Sequence, residues 1–144
     1  MMGRKTQLRI CTLLLILNLA FIWGNSLMPA ATSQAFSDWV MSVLGSVPVE
    51  QAPQAGSGIL RKIAHFAEFA SLGFLSAWLS ALLRGRIWPA LPLGMAAACL
   101  DECIQLFVPG RGPGILDVAI DTCGVLAGML LLQIGYKLIM RKQL

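Results

Sequence analysis

Charge is scarce in this sequence. Asp, Glu, Lys and Arg make up 12 % of its 144 residues, where a soluble domain carries about 25 %. The apolar share is 57 % and the mean hydropathy +0.74. That balance excludes an ordinary soluble protein, and it excludes disorder, which needs low hydrophobicity and high charge. The apolar residues come in long Leu-, Ile-, Ala- and Val-rich blocks without strand-like alternation, which excludes a membrane barrel. Four cysteines occur, at Cys11, Cys99, Cys103 and Cys123, but no C-x-x-C. A disulfide framework or zinc motif is therefore not expected, and the cysteines read as buried small apolar side chains. Histidine occurs once, at His65. A transition-metal site would have to take its other ligands from carboxylates, and the expectation is no metal and no cofactor. Internal repeats and low-complexity segments are lacking too.

What remains is an all-α integral membrane bundle in one domain, 1–144. Four apolar blocks predict transmembrane helices over about 8–28, 62–83, 87–107 and 115–140. Arg4, Lys5 and Arg9 precede the first. A signal peptide has the same look, but this run is longer than a typical h-region and no A-x-A site follows, so a retained helix is expected. Pro29, Pro48, Pro53, Gly56 and Gly58 break the 29–60 segment. Within it, Phe36, Trp39, Val40, Val43 and Leu44 recur at helical spacing after Ser33. They predict a short amphipathic external helix over Gln34–Leu44, with Ser33 as N-cap. Pro89 and Pro92 fall near the start of the third block, where a missing N–H costs least.

The net charge is +4, and the cations sit beside apolar blocks. They read as topology signals, with no nucleic-acid partner implied. With the N-terminus inside, Arg4, Lys5, Arg9, Arg84, Arg86, Lys137, Arg141 and Lys142 are inner, against Arg61, Lys62 and Arg111 outside. Both termini are thus expected in the cytoplasm, at a cell membrane, with the lipid bilayer as the general partner.

Of the seven acids, Asp38 and Glu50 are external, and Glu68, Asp101, Glu102, Asp117 and Asp121 fall inside predicted helices. A carboxylate within a membrane helix faces a bundle interior and marks function by default. At 1.5 Å per residue, Glu68, Glu102 and Asp121 lie about 8–10 Å below the outer ends of three separate helices. Faces agree with depth. Arg61, His65, Glu68 and Leu72 form one stripe; Gly94, Ala98, Asp101 and Gln105 a second; Asp117, Asp121, Gly124 and Gly128 a third. Gly124 and Gly128 form a small-xxx-small packing motif.

These residues predict an outward-facing polar pocket lined by His65, Glu68, Asp101, Glu102, Gln105, Asp117 and Asp121, with Arg61, Lys62 and Arg111 at its rim. Five ionised carboxyls so close would repel, so some are protonated or paired. The Pro109–Gly114 turn offers backbone N–H groups, with Arg111, to an anion. His65, Glu68 and Glu102 are the candidates for acid–base catalysis. Blander readings stand beside these. His65 and Glu68 form a metal half-site, an acid–base pair or a packing pair; Asp117 caps a helix or binds substrate; Arg111 anchors at headgroups or binds phosphate. The whole cluster is otherwise an interhelical ion-pair network.

At these residues the sequence resembles the VanZ-like family of small bacterial membrane proteins. Three blocks carry the resemblance: Lys62-Ile-Ala-His65-Phe66-Ala-Glu68-Phe69 with Leu72-Gly73; Asp101-Glu102-Cys-Ile-Gln105-Leu-Phe107-Val-Pro109-Gly110-Arg111; and Asp117-Val118 through Asp121 to Gly124 and Gly128. Together they cover 61–128. The family commonly has Asn where this chain has Asp121, which adds a carboxyl here. Residues 1–60 match only in their general pattern. The resemblance implies a link to teicoplanin resistance, the namesake's role, without implying a reaction. Two functions compete. In one, the chain binds an outer-leaflet amphiphile, such as a lipid or a glycopeptide antibiotic. In the other, it is a membrane enzyme modifying a lipid or lipid-linked envelope precursor. The motifs of lipid phosphatases and CDP-alcohol transferases are absent.

Overall fold

The computed structural model describes residues 3–43, 54–112 and 114–141. Five helices follow one another: α1 Arg4–Ser26, α2 Ala30–Val43, α3 Gln54–Arg84, α4 Ala90–Gln105 and α5 Ile115–Arg141. No strand occurs among the described residues. Leu44, Pro48, Glu50, Pro53 and Pro113, which figure in the sequence reading, lie outside them.

Three helices are long and apolar enough to cross a membrane: Arg4–Ser26, Gly58–Arg84 and Ile115–Leu138. The expected four reduce to three on this criterion. Helix α4 has 16 residues and rises about 24 Å, short of the roughly 30 Å of hydrocarbon. Both its ends tighten. Pro89 and Pro92 supply no N–H, and Ala90 and Leu91 donate to Ile87 and Trp88 three residues back. At the other end Phe107 and Val108 donate to Ile104 and Gln105 in the same i→i+3 pattern.

Helix α3 runs the other way, longer than expected. It begins at Gln54 and passes through Gly56 and Gly58. A helical glycine costs only about 1 kcal/mol, too little by itself to stop a long helix. It ends at Gly85, whose φ of 67° is the left-handed cap that glycine adopts freely. The Gly85 N–H donates to Ala81 O, and the Arg4 guanidinium reaches the Leu82 carbonyl at 2.6 Å. Helix α2 starts at Ala30, directly after Pro29, so Ser33 sits in its first turn and is not its N-cap.

Helices α3 and α5 form the closest pair. A Cβ added at Gly124 would lie 2.5 Å from Phe66 O. One at Gly128 would collide with Ala70 O, and one at Gly73 on α3 with the Val125 backbone. Small residues on both helices thus let the backbones touch. Around this seam the core gathers Ile22, Phe69, Leu72, Ala77, Ala98, Val125 and Met129. Ile22 belongs to α1, which is therefore part of the bundle. Cys11 is buried there, its thiol donating to Leu75 O at 3.3 Å. Cys99, Cys103 and Cys123 are exposed, against expectation. In a bundle so thin, one face of every helix must look outward.

Candidate functional site

The polar residues gather at one end of the bundle, opposite Arg4. They divide into three groups.

At the centre stand His65 of α3, Asp101 of α4 and Asp121 of α5. His65 Nδ1 lies 3.8 Å from Asp101 Oδ2 and 3.9 Å from Asp121 Oδ1. Both aspartates are fully buried. Asp101 is held on both oxygens: Ser26 Oγ donates to Oδ1 at 2.6 Å, and Gln105 Nε2 donates to Oδ2 at 3.0 Å. Residues 101 and 105 are one helical turn apart, which allows that second bond. Neither oxygen of Asp121 has a partner among the described residues. A cavity of about 10 Å³, bordered by His65, Glu102, Gln105, Asp117 and Asp121, adjoins the trio. Arg61 and the exposed Lys62 edge it.

Towards α1 lies the second group. Asn25 Nδ2 donates to Glu68 Oε1 at 2.7 Å, and Arg111 Nη2 donates to Asn25 O at 3.2 Å. Arg111 is aimed by its own turn. Val108-Pro109-Gly110-Arg111 closes with Arg111 N–H donating to Val108 O at 3.1 Å. Gly110 has φ 76°. Proline at the second position and a positive-φ glycine at the third are the requirements of a type II turn. The same turn holds the start of α2, whose Ala30 N–H donates to Pro109 O. Arg111 Nε and Nη1 are buried and find no partner among the described residues. Burial, and then the neighbouring Arg61 guanidinium, hold Arg111 below the usual guanidinium range.

A cleft of about 420 Å³ opens beside this second group. Phe21, Met28 and Phe36 line it together with Arg61, Glu68 and Arg111. His65 borders both this cleft and the small cavity.

The third group faces the connection from α4 to α5. Glu102 Oε2 accepts the Gly114 N–H at 2.7 Å. That N–H is therefore engaged by a carboxylate, where the sequence suggested it for an external anion. Asp117, in the first turn of α5, suits the helix dipole.

Of the residues expected to line one pocket, His65, Glu102, Gln105, Asp117 and Asp121 border the small cavity, and Glu68 and Arg111 line the larger cleft, which His65 also reaches. His65, Asp101, Gln105 and Asp121 come together. Glu68 turns to Asn25 of α1, and Glu102 borders the same small cavity while accepting the Gly114 N–H. Glu68 lies only about 60° round α3 from His65, so the two share a face, and what sets Glu68 apart is its bond to Asn25. Sequence reasoning missed Asn25 and Ser26. Their signal was two adjacent polar residues closing an otherwise apolar run.

Comparison with curated proteins and with solved structures finds no match. A sequence model of the VanZ/LLP1 family matches residues 11–136. That span takes in α2, α3 and α4 whole, most of α1 and α5, and all three polar groups. The chain belongs to the VanZ/LLP1 family.

Proposed function

We propose that this protein binds an amphiphile with an anionic headgroup at the outer leaflet of the cell membrane. In this reading α4 joins the three long helices as a fourth, shorter crossing. Both termini are cytoplasmic, and the polar end of the bundle faces out. One observation carries it: a half-buried guanidinium, two of whose nitrogens are buried without a hydrogen-bond partner, lining a cleft that aromatic and apolar side chains also line. A guanidinium fork matches a phosphate or carboxylate through paired N–H donors, and Phe21, Met28 and Phe36 suit an acyl chain. The family resemblance suggests cell-envelope function, or teicoplanin tolerance, as the setting.

Mass spectrometry of the purified protein, with its retained lipids, tests this. Wild type is expected to carry an anionic lipid and the Arg111→Gln variant at least tenfold less, with Arg111→Lys between them. Equal lipid in wild type and Arg111→Gln would refute it.

A second reading, a membrane enzyme acting on a lipid-linked precursor, draws on Glu102 Oε1 and His65 Nδ1, both without hydrogen-bond partners. Glu102→Gln separates the two: binding survives it, whereas proton transfer through Glu102 does not.

A further inference from the structure

We infer that His65, Asp101 and Asp121 form a binding site for one first-row divalent cation of the zinc or manganese kind. Each of three helices supplies one ligand atom, and the three atoms lie within 4.8 Å of one another. Separations of 3.8 and 3.9 Å from His65 Nδ1 are too long for hydrogen bonds. They suit atoms that share an ion. Around a tetrahedral zinc with bonds of about 2.0–2.1 Å, neighbouring ligands sit roughly 3.3 Å apart, so the His65 pairs must close by about 0.5 Å and the Asp101–Asp121 pair by up to about 1.5 Å.

Asp121 is the independent pointer. It is fully buried, and neither carboxylate oxygen has a hydrogen-bond partner. A buried carboxylate in that state is costly. A cation between Asp121 and Asp101 relieves it, and two carboxylates balance a divalent charge. Asp101 has the support that metal-binding carboxylates have, with Ser26 and Gln105 fixing its orientation. The adjoining cavity of about 10 Å³ is close to the space one water occupies, and a water there completes the coordination. An imidazole beside two carboxylates favours zinc or manganese over calcium or magnesium, which prefer all-oxygen sites. This replaces the metal-free expectation drawn from a lone histidine.

The inference does not rest on the amphiphile reading. Asp101 and Asp121 do not line the large cleft, and the test below uses no lipid ligand. The full chain, carrying an affinity tag without histidine, is purified in detergent, stripped with chelator, then dialysed against Zn²⁺ or Mn²⁺ alone. Elemental analysis gives the metal per chain, and calorimetric titration gives the affinity. One ion per wild-type chain is expected. Asp121→Asn should weaken binding at least tenfold, and Asp38→Asn, a carboxylate on α2, should leave it unchanged. Circular dichroism checks the fold of each variant, and His65→Gln stands in if Asp121→Asn misfolds. A wild-type chain that retains neither metal overturns the proposal. So does Asp121→Asn binding as wild type does, or Asp38→Asn losing the ion equally.

Discussion

At Gly128 a single added methyl group would meet the carbonyl oxygen of Ala70 on the neighbouring helix. Backbone cannot step aside as a flexible side chain does, so Gly128→Ala is expected to destabilise the protein by about 1–3 kcal/mol. Gly24→Ala, where nothing lies within 4 Å, should be neutral or stabilising by up to about 1 kcal/mol. Unfolding of both variants in one detergent checks this, and equal stability would remove the close seam. Ser26→Ala, which deletes the 2.6 Å bond to buried Asp101, is expected to cost about 1–3 kcal/mol by the same assay. The residue scale also shows what could be read in advance. His65, Asp101 and Asp121 were legible because a charge-bearing side chain inside an apolar run is costly unless it has company. Ser26 and Asn25 were not, since small polar residues are ordinary at the end of an apolar helix. Only the fold shows that they donate to Asp101 and Glu68.

Among the elements, α5 matched its expected start because a glycine-rich turn precedes it and Asp117 suits its first turn. Helix α3 did not, because a helical glycine costs only about 1 kcal/mol and the helix runs through Gly56 and Gly58. Helix α4 ended early because its termini wind into i→i+3 turns, which a hydropathy reading cannot separate from helix. Helix α2 leaves Phe36 and Trp39 61 % exposed each, with rings stacked at 5.9 Å. An aromatic pair so exposed on an amphipathic helix suits the membrane–water interface. With Trp23, Trp78 and Trp88 replaced by Phe, the fluorescence of Trp39 should be quenched most by lipids brominated near the headgroup. Quenching by an aqueous agent alone would place α2 in water.

For the whole molecule, the polar end opposite Arg4 has two parts of different character. One is water-sized and rich in carboxylates. The other is open, larger and lined by cations and aromatic rings. The all-helical fold class followed from composition and helical spacing. The division of the lining residues between a small cavity and a larger cleft did not, because it depends on which neighbour each side chain meets. Topology is tested by tags at each end, both expected to resist an external protease while a site inserted within 44–53 is cut. The central claim is that Arg111 holds an anionic headgroup. Its most direct measurement is equilibrium titration of the purified protein with a short-chain anionic phospholipid and a zwitterionic one of the same chain length. The account predicts at least tenfold tighter binding of the anionic lipid by wild type, and loss of that preference in Arg111→Gln. Equal affinity of wild type for the two lipids, or an unchanged preference in the variant, would contradict it.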